Sequence, residues 1–297
     1  YECVQVSISL SDPRLPEGLD ILVLPGFKGA LHPTERQLID AFMDGGGRLL
    51  VLFDPPSRLP PNFEQQLRPW LAQRFGIDVR RDLLVREEET AVFDVELQPS
   101  REAFAQDPNF QDWLGAFSTQ HPITRGALDA MLMSGVRSVA PREELPDDVL
   151  VTPLLRTVPD FWSERVLAVL AQAGRVSRDP DEPEGPHTVA VAAVQRLAPA
   201  AGGAPRRDAR VVVVGNANFA TNASVTFPGH VNFLLNTFAW LSESEELIAI
   251  RPSGLEQAPL VLTETQERLI TWTASLATLQ AVLLAGGLMW WRRRREQ

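Results

Sequence analysis

Four polar side chains follow two strand-like runs of the sequence and could take part in binding. Asp54 comes directly after the apolar run 48–53, and Asn216, Asn218 and Asn222 follow the apolar run 210–214. Ligands of open α/β sheets bind at the carboxyl ends of the strands. The positions therefore predict a ligand- or partner-binding rim at these four residues. The structural alternative, in which they form Asx turns or cap the next helix, is the more frequent role of such side chains.

Metal and acid–base chemistry have little support in the sequence. Asparagine is a neutral donor and acceptor, so the 216–222 loop is a poor metal or proton-transfer site. Cys3 is the only cysteine, which rules out an internal disulfide and a cysteine metal cluster. The four histidines are scattered without the spacing of metal ligands, at positions His32, His121, His187 and His230. We predict that the protein uses no metal and no cofactor.

Several function classes are excluded or disfavoured by what the sequence contains. It has no G-x-x-x-x-G-K-[ST] phosphate loop, so ATP hydrolysis by that chemistry is excluded, and it has no G-x-S-x-G nucleophile elbow. The net charge of −10 argues against nucleic acid as a partner, because such binding depends on Lys and Arg neutralising phosphates. We expect a protein that is not an enzyme.

Two other functions stay open at this point. A membrane-tethered hydrolase or amidotransferase relative would place Asp54 near His121 or His230 in a deep pocket, with a perturbed carboxylate pKa. A glycan- or peptide-binding module would instead need an exposed aromatic cluster. Its candidates, each of which could equally pack in a core, are Trp70, Phe110, Trp113 and Trp162.

The strands and helices that must position these residues are predicted to form an α/β fold. A continuous apolar run at 21–24, a helix starting at Pro33 and the run 48–53 form a β-α-β unit, which predicts a parallel sheet. Further expected elements are a short strand at 4–8, a helix at 62–75, a strand at 77–85, a strand at 210–214, a helix at 232–241 and an edge strand at 247–250.

We assign residues 1–250 to one α/β domain with a flavodoxin-like parallel sheet. Within it, residues 87–207 are rich in proline and acidic residues and are expected to be a looser, irregular α+β insertion, with strand-like pieces at 136–139 and 188–194. Residues 251–262 read as a linker.

The C-terminus predicts a membrane anchor. Residues 269–291 contain no charge, and a 23-residue helix of about 35 Å exceeds the roughly 30 Å hydrocarbon core of a bilayer. We therefore predict a helix at 263–292 with a single transmembrane span at 269–291, and a basic cytoplasmic tail at 293–297. Its interfacial residues would be Trp272, Trp290, Trp291, Arg292, Arg293, Arg294 and Arg295.

The arginines also predict the orientation. Basic residues beside a span stay on the cytoplasmic side, so the main domain would lie in the periplasm, outside a bacterial inner membrane. The sequence opens with Tyr1 rather than Met, which leaves room for a preceding segment with a second span.

Several stretches together resemble one known family. Residues 20–55 (DILVLPGFKGALHPTERQLIDAFMDGGGRLLVLFDP) are the longest, followed by HPIT at 121–124 and VTPLLRT at 151–157. The pattern is completed by a stretch from Val211 to Trp240 that ends in FLLNTFAWL, by LIAIRP at 247–252 and by the terminal apolar run with its arginines. In this order they resemble the gliding-motility (Gld-type) auxiliary proteins of ABC transporters over nearly the whole chain.

The resemblance implies a non-catalytic, membrane-anchored accessory subunit that works beside a separate ABC permease and ATPase and binds substrate or partner subunits. It implies a fold like that of class I glutamine amidotransferases, with Asp54 near the position of their nucleophilic cysteine. A carboxylate there disfavours thiol-based amide hydrolysis. The loop at 216–219 more often reads Asp-Ser-Asp-Phe in the family. With Asn216 and Asn218 in place of those acids, cation binding is not expected here.

Overall fold

A computed structural model describes residues 2–8, 12–26, 30–56, 64–87, 91–92, 94–99, 112–126, 129–165, 178–199, 206–244, 286 and 290–295. The chain divides into two compact units, Tyr1–Arg251 and Pro252–Gln297. The first unit is a mixed α/β structure.

A seven-stranded sheet organises the first unit. Its strands are β1 (Ile21–Pro25), β2 (Arg48–Leu52), β7 (Trp113–Leu114), β8 (Phe117–Ser118), β11 (Val149–Arg156), β13 (Thr188–Gln195) and β14 (Ala209–Val214). They lie side by side in the order β1-β2-β14-β13-β11-β8-β7. β1, β2 and β14 are parallel to one another, whereas the neighbouring pairs from β14 to β7 are antiparallel.

Both faces of the sheet are buried, which explains the near-continuous apolar runs of β2 and β14. Alternate residues point to opposite faces of a strand. Leu49 and Val51 pack on the side of α1 (Pro33–Asp44) and α2 (Leu67–Phe75). Leu50 and Leu52 pack on the side of α4 (Pro228–Leu241).

Helix α1 begins where its sequence predicts. The His32 Nδ1 atom accepts from the Thr34 N–H at 3.2 Å, and the His32 N–H donates to Glu35 Oε2 at 2.7 Å. Pro33 occupies the first helical position, where its missing N–H costs nothing. His32 therefore caps the helix that was expected to start at Pro33.

The smaller elements complete the unit. The short helix α3 spans Pro122–Arg125. Outside the main sheet, β3 (Ile77–Val79) pairs with β10 (Val139–Pro141), β4 (Leu83–Glu87) pairs with β5 (Ala91–Val92) and β12 (Trp162–Glu164), and β6 (Asp94–Leu97) pairs with β9 (Met131–Ser134). The buried Asp82 carboxylate accepts from the Ser138 N–H at 2.9 Å and from the Ser163 hydroxyl at 2.6 Å, which holds these segments together.

The sheet differs from the expected parallel one in a specific way. Parallel pairing holds for β1, β2 and β14, but β13 and β11 run antiparallel and make the sheet mixed. Both strands come from the segment 87–207, which was expected to be a looser insertion and instead supplies the centre of the sheet. The β-α-β unit fixes only the pairing of β1 with β2, and its pattern says nothing about strands that arrive later in the chain.

Other expected elements shift or divide. Residues 2–8 form no strand, and the expected strand 77–85 is split into β3 and β4, neither of which joins the main sheet. The helix expected at 62–75 begins at Leu67, and the one expected at 232–241 begins four residues earlier, at Pro228. The expected edge strand 247–250 lies outside the described residues.

Little of the second unit is described. Residues 290–295 are helical, with the Arg294 guanidinium 5.0 Å from the Trp290 ring and the Arg295 guanidinium 3.8 Å from the Trp291 ring. The rest of the expected span 269–291, except Gly286, lies outside the described residues, as does Trp272. In the part of the chain that is described, no helix has the length and apolar character needed to cross a bilayer.

Candidate functional site

The three parallel strands end at the same edge of the sheet. Leu52 at the end of β2 is in register with Pro25 of β1 and with Val214 of β14. Beyond the strands, the Gly26 N–H donates to the Leu52 carbonyl and the Phe53 N–H donates to the Val214 carbonyl, both at 2.9 Å. The polar residues that follow β2 and β14 are therefore brought to one edge, as predicted.

Asp54 is half-buried and lies against the turn after β1. Gly26 has φ +78°, and a Cβ there would overlap the Asp54 carboxylate. The Asp54 carbonyl accepts from Arg137 Nη2 at 2.5 Å. Only glycine at position 26 permits both this left-handed turn and the close approach of the carboxylate.

Arg137 joins the ends of β2 and β14. Its side chain is completely buried, its guanidinium lies 5.2 Å from the Phe53 ring, and its backbone N–H donates to the Gly215 carbonyl at 2.9 Å. Two of its guanidinium nitrogens bind Glu64, Nη1 to Oε2 at 2.9 Å and Nη2 to Oε1 at 2.8 Å. Of these two contacts only that of Nη1 is a hydrogen bond, because Nη2 donates to the Asp54 carbonyl and its contact with Oε1 is an ion pair without a hydrogen bond.

Glu64 is surrounded by positive charge. Besides Arg137, it lies 4.0 Å from Arg68 and 3.9 Å from Arg81. Burial lowers the pKa of the Arg68 guanidinium, and Glu64 partly restores it. An open cleft of about 330 Å³ beside this group is lined by Glu64, Gln65, Arg68, Pro69, Ala72 and Asp78.

The asparagine loop divides into buried and exposed positions. Asn216 is fully buried; its Nδ2 donates to the Ser134 carbonyl at 2.7 Å and its Oδ1 accepts from the Phe219 N–H at 2.9 Å. Asn218 Nδ2 donates to the same Ser134 carbonyl at 3.1 Å, whereas Asn222 is exposed. Asn216 thus has the structural role named above as the alternative to binding, because its side chain caps the 3-10 turn at 218–220. A binding role for Asp54, Asn218 and Asn222 stays a prediction.

Two histidines considered as partners of Asp54 are engaged elsewhere. His230 is fully buried; its Nδ1–H donates to the Ser224 carbonyl at 2.9 Å and its Nε2 accepts from the Leu132 N–H at 3.1 Å. His121 caps α3, and its Nδ1 accepts from the Ile123 N–H at 3.3 Å. Burial, with the nearby charges of Arg210 and Arg125, lowers the pKa of His121 to about 4.

The aromatic residues considered for a glycan or peptide site are mostly core residues. Trp70, Trp113 and Trp162 are each at most 6% exposed. Trp70 packs edge-on against Phe75 at 5.4 Å, and its indole N–H donates to Asp40 at 2.8 Å. Phe110 lies outside the described residues. These three rings do not form the exposed cluster that this alternative needs.

Two residues that shape the site were not among the predicted ones. Arg137 and Glu64 are 73 positions apart, so no local spacing pairs them. A signal was nonetheless present, because Arg137 is a charge within the strand-like run 136–139, and such a charge must find a partner if the run is buried. Ser134, whose carbonyl binds both asparagines, offered no signal.

Comparison with known proteins identifies a family. A family described as an ABC-type uncharacterized transport system (ABC transporter auxiliary) matches residues 1–239. No curated protein matches the chain. Among solved structures, the mmIFT52 N-terminal domain shares 12% identity and a TM-score of 0.46, over 76% of this chain and 78% of that one. A ThuA-like protein from Bacteroides uniformis shares 13% identity and a TM-score of 0.39, over 75% of this chain and 69% of that one.

The family match covers most of the first unit, including β1, β2, β14 and nearly all of α4. It confirms the ABC transporter part of the resemblance seen in the sequence. The chain belongs to the ABC transporter auxiliary family, whose members are described as part of an ABC-type uncharacterized transport system.

Proposed function

We propose that this protein is a non-catalytic accessory subunit of an ABC-type export or gliding-motility-like system. In this proposal its α/β domain binds substrate or partner subunits, and a separate permease and ATPase supply the pathway and the energy. The observation that carries the proposal is the family match over residues 1–239. The absence of a phosphate loop from the sequence agrees with ATP being hydrolysed by another chain.

We further propose that residues 263–292 form the membrane anchor, with the span at 269–291 and the main domain on the periplasmic side. The support is the uncharged 23-residue run followed directly by four arginines. Trp290 and Trp291 would lie at the headgroup level. The stacking of Arg294 and Arg295 on these rings would keep the two charges beside them.

An amidotransferase-like fold is also part of the proposal, but amide hydrolysis is not. Asp54 would occupy the position of the nucleophile, and His230 uses both ring nitrogens in hydrogen bonds to the backbone, which leaves it no lone pair for a substrate proton.

Affinity purification of the full chain from detergent-solubilised membranes tests the accessory role. We expect an ABC permease and an ATPase to co-purify in stoichiometric amounts. Recovery of the chain without any ABC subunit would contradict the proposal. Protease treatment of intact spheroplasts tests the topology separately, since a periplasmic domain should be digested and a cytoplasmic one protected.

A further inference from the structure

The described helical turn of the second unit, residues 290–295, combines aromatic and basic side chains. It consists of two tryptophans followed by four arginines, and all six residues are exposed. Glu296 is the only acidic residue after Glu267, so the local charge is positive although the chain as a whole carries −10. A concentrated positive charge of this kind attracts anionic groups.

The four arginines lie around the helix rather than along one side of it. Consecutive residues of an α-helix are turned by about 100° and rise by about 1.5 Å, so the Cα atoms of Arg292 to Arg295 encircle the axis within about 4.5 Å of its length. We call these four residues the arginine ring. A partner that touches one side of the helix leaves charges of the ring unpaired, whereas ligands that surround the helix at one level reach all four.

Two members of the arginine ring are held against exposed aromatic rings. The Arg294 guanidinium lies 5.0 Å from the Trp290 ring and that of Arg295 lies 3.8 Å from the Trp291 ring. Each pair is four residues apart, so its members meet on the same side of the helix. Stacking engages the flat face of a guanidinium and leaves the N–H donors at its edge available to an acceptor. These two cations are therefore preorganised, which lowers the entropy cost of binding.

The two residue types together select the chemistry of the ligand. Guanidinium groups match the oxygens of a phosphate with paired hydrogen bonds. Tryptophan favours the level of the lipid headgroups, and Trp290 and Trp291 remain 61% and 48% exposed. Anionic phospholipids supply the phosphate and the apolar boundary at one level and on every side of a helix. A nucleic acid supplies phosphates on one side only, and the net charge of −10 repels it.

We infer that the arginine ring, with Trp290 and Trp291, binds the headgroups of anionic phospholipids around the C-terminal helix. This inference rests on the proposed function, because it needs the C-terminus to lie at a bilayer, and it adds which lipids the anchor gathers. Each basic residue beside an anionic bilayer surface strengthens the association. The ring would thereby also fix the depth of the helix end in the bilayer.

Lipid retention by the full chain tests the inference. The chain is reconstituted into vesicles with equal amounts of phosphatidylglycerol and phosphatidylcholine and extracted in mild detergent, and native mass spectrometry counts the bound lipids. We expect the wild type to retain about tenfold more phosphatidylglycerol than phosphatidylcholine, and Arg294→Gln/Arg295→Gln to retain about twofold more. The control Arg206→Gln/Arg207→Gln removes the same charge from exposed positions of the first unit and should keep the wild-type preference.

Inorganic phosphate distinguishes a lipid site from a site for free phosphate. We expect the preference to be the same in sodium phosphate and in sodium chloride of equal ionic strength. Loss of the preference in phosphate alone, or an equal preference in the wild type and Arg294→Gln/Arg295→Gln, would overturn the inference. The anchor is tested apart from it, by flotation with pure phosphatidylcholine vesicles at alkaline pH. A chain that floats with neither lipid would overturn both.

Discussion

Two buried arginines hold opposite ends of the same parallel strands. Arg48, at the start of β2, donates to the carbonyls of Leu241 at 2.8 Å and Asp208 at 2.5 Å and pairs with Glu243 at 2.7 Å. Arg137, at the other end, binds the Asp54 carbonyl and pairs with Glu64. Each therefore fastens segments distant in sequence to the sheet.

The two pairs differ in their access to water. The Glu243 side chain is 37% exposed, whereas that of Glu64 is 1% exposed. A buried charge that loses its partner cannot be rehydrated without opening the fold, whereas an exposed one can. The stability of the strand ends next to the candidate rim therefore depends on charge pairing. The stability of the opposite ends depends more on hydrogen bonds to carbonyl groups.

Removal of the buried pair should give the largest effect. We expect Arg137→Met to lower the free energy of unfolding by about 3–5 kcal/mol, because Glu64 is left buried without its nearest charged partner. Urea unfolding at neutral pH measures this. In the double variant Arg137→Met/Glu64→Leu, part of the loss should return. A loss below that of Arg48→Met would contradict the comparison.

A pH effect should arise from His121, near the end that Arg48 holds. The pKa of His121 is lowered to about 4 by burial, so between pH 6.5 and 4 the unfolded state binds a proton that the folded state does not. Stability should therefore fall as the pH decreases through this window, by up to about 3 kcal/mol.

The measurement for His121 is urea unfolding at pH 7 and pH 5. His121→Asn, which can still cap α3, should weaken the pH dependence, and His187, whose pKa burial also lowers, should account for some of the remainder. An unchanged pH dependence in His121→Asn would contradict the assignment.

Removal of the more exposed pair should cost less. We expect Arg48→Met to lower the free energy of unfolding by about 1–2 kcal/mol, because Glu243 can be hydrated and the main loss is of hydrogen bonds to carbonyls. The same urea titration checks it. The comparison would be weakened if Glu243→Gln alone reproduced the full loss, since the ion pair would then matter more than the carbonyls.

The smallest effect is expected at the rim. Asn218→Ala removes one exposed hydrogen bond to the Ser134 carbonyl and should cost about 0.5 kcal/mol. Asn216→Ala is the matched comparison, and it should cost more because Asn216 is buried and bonds on both sides. Equal losses measured by thermal unfolding would show that burial does not separate the two asparagines.

Local features of the chain were predictable from its sequence. The start of α1 at Pro33, the apolar runs of β1, β2 and β14 and the edge at which they end follow from periodicity, the preference of proline for the first helical turn and the geometry of parallel strands. The family resemblance could also be recognised from the sequence, because it consists of short motifs that occur in a fixed order along the chain.

The pairings that define the site were decided only by the tertiary structure. Nothing local places β11 and β13 at the centre of the sheet, joins Arg137 to Glu64 across 73 residues, or joins Arg48 to Glu243 across 195. Such contacts form where separate segments meet in space, and each segment by itself is compatible with many partners. The amino-acid sequence determined which pieces could form, and their packing on one shared sheet determined which charges had to be buried together.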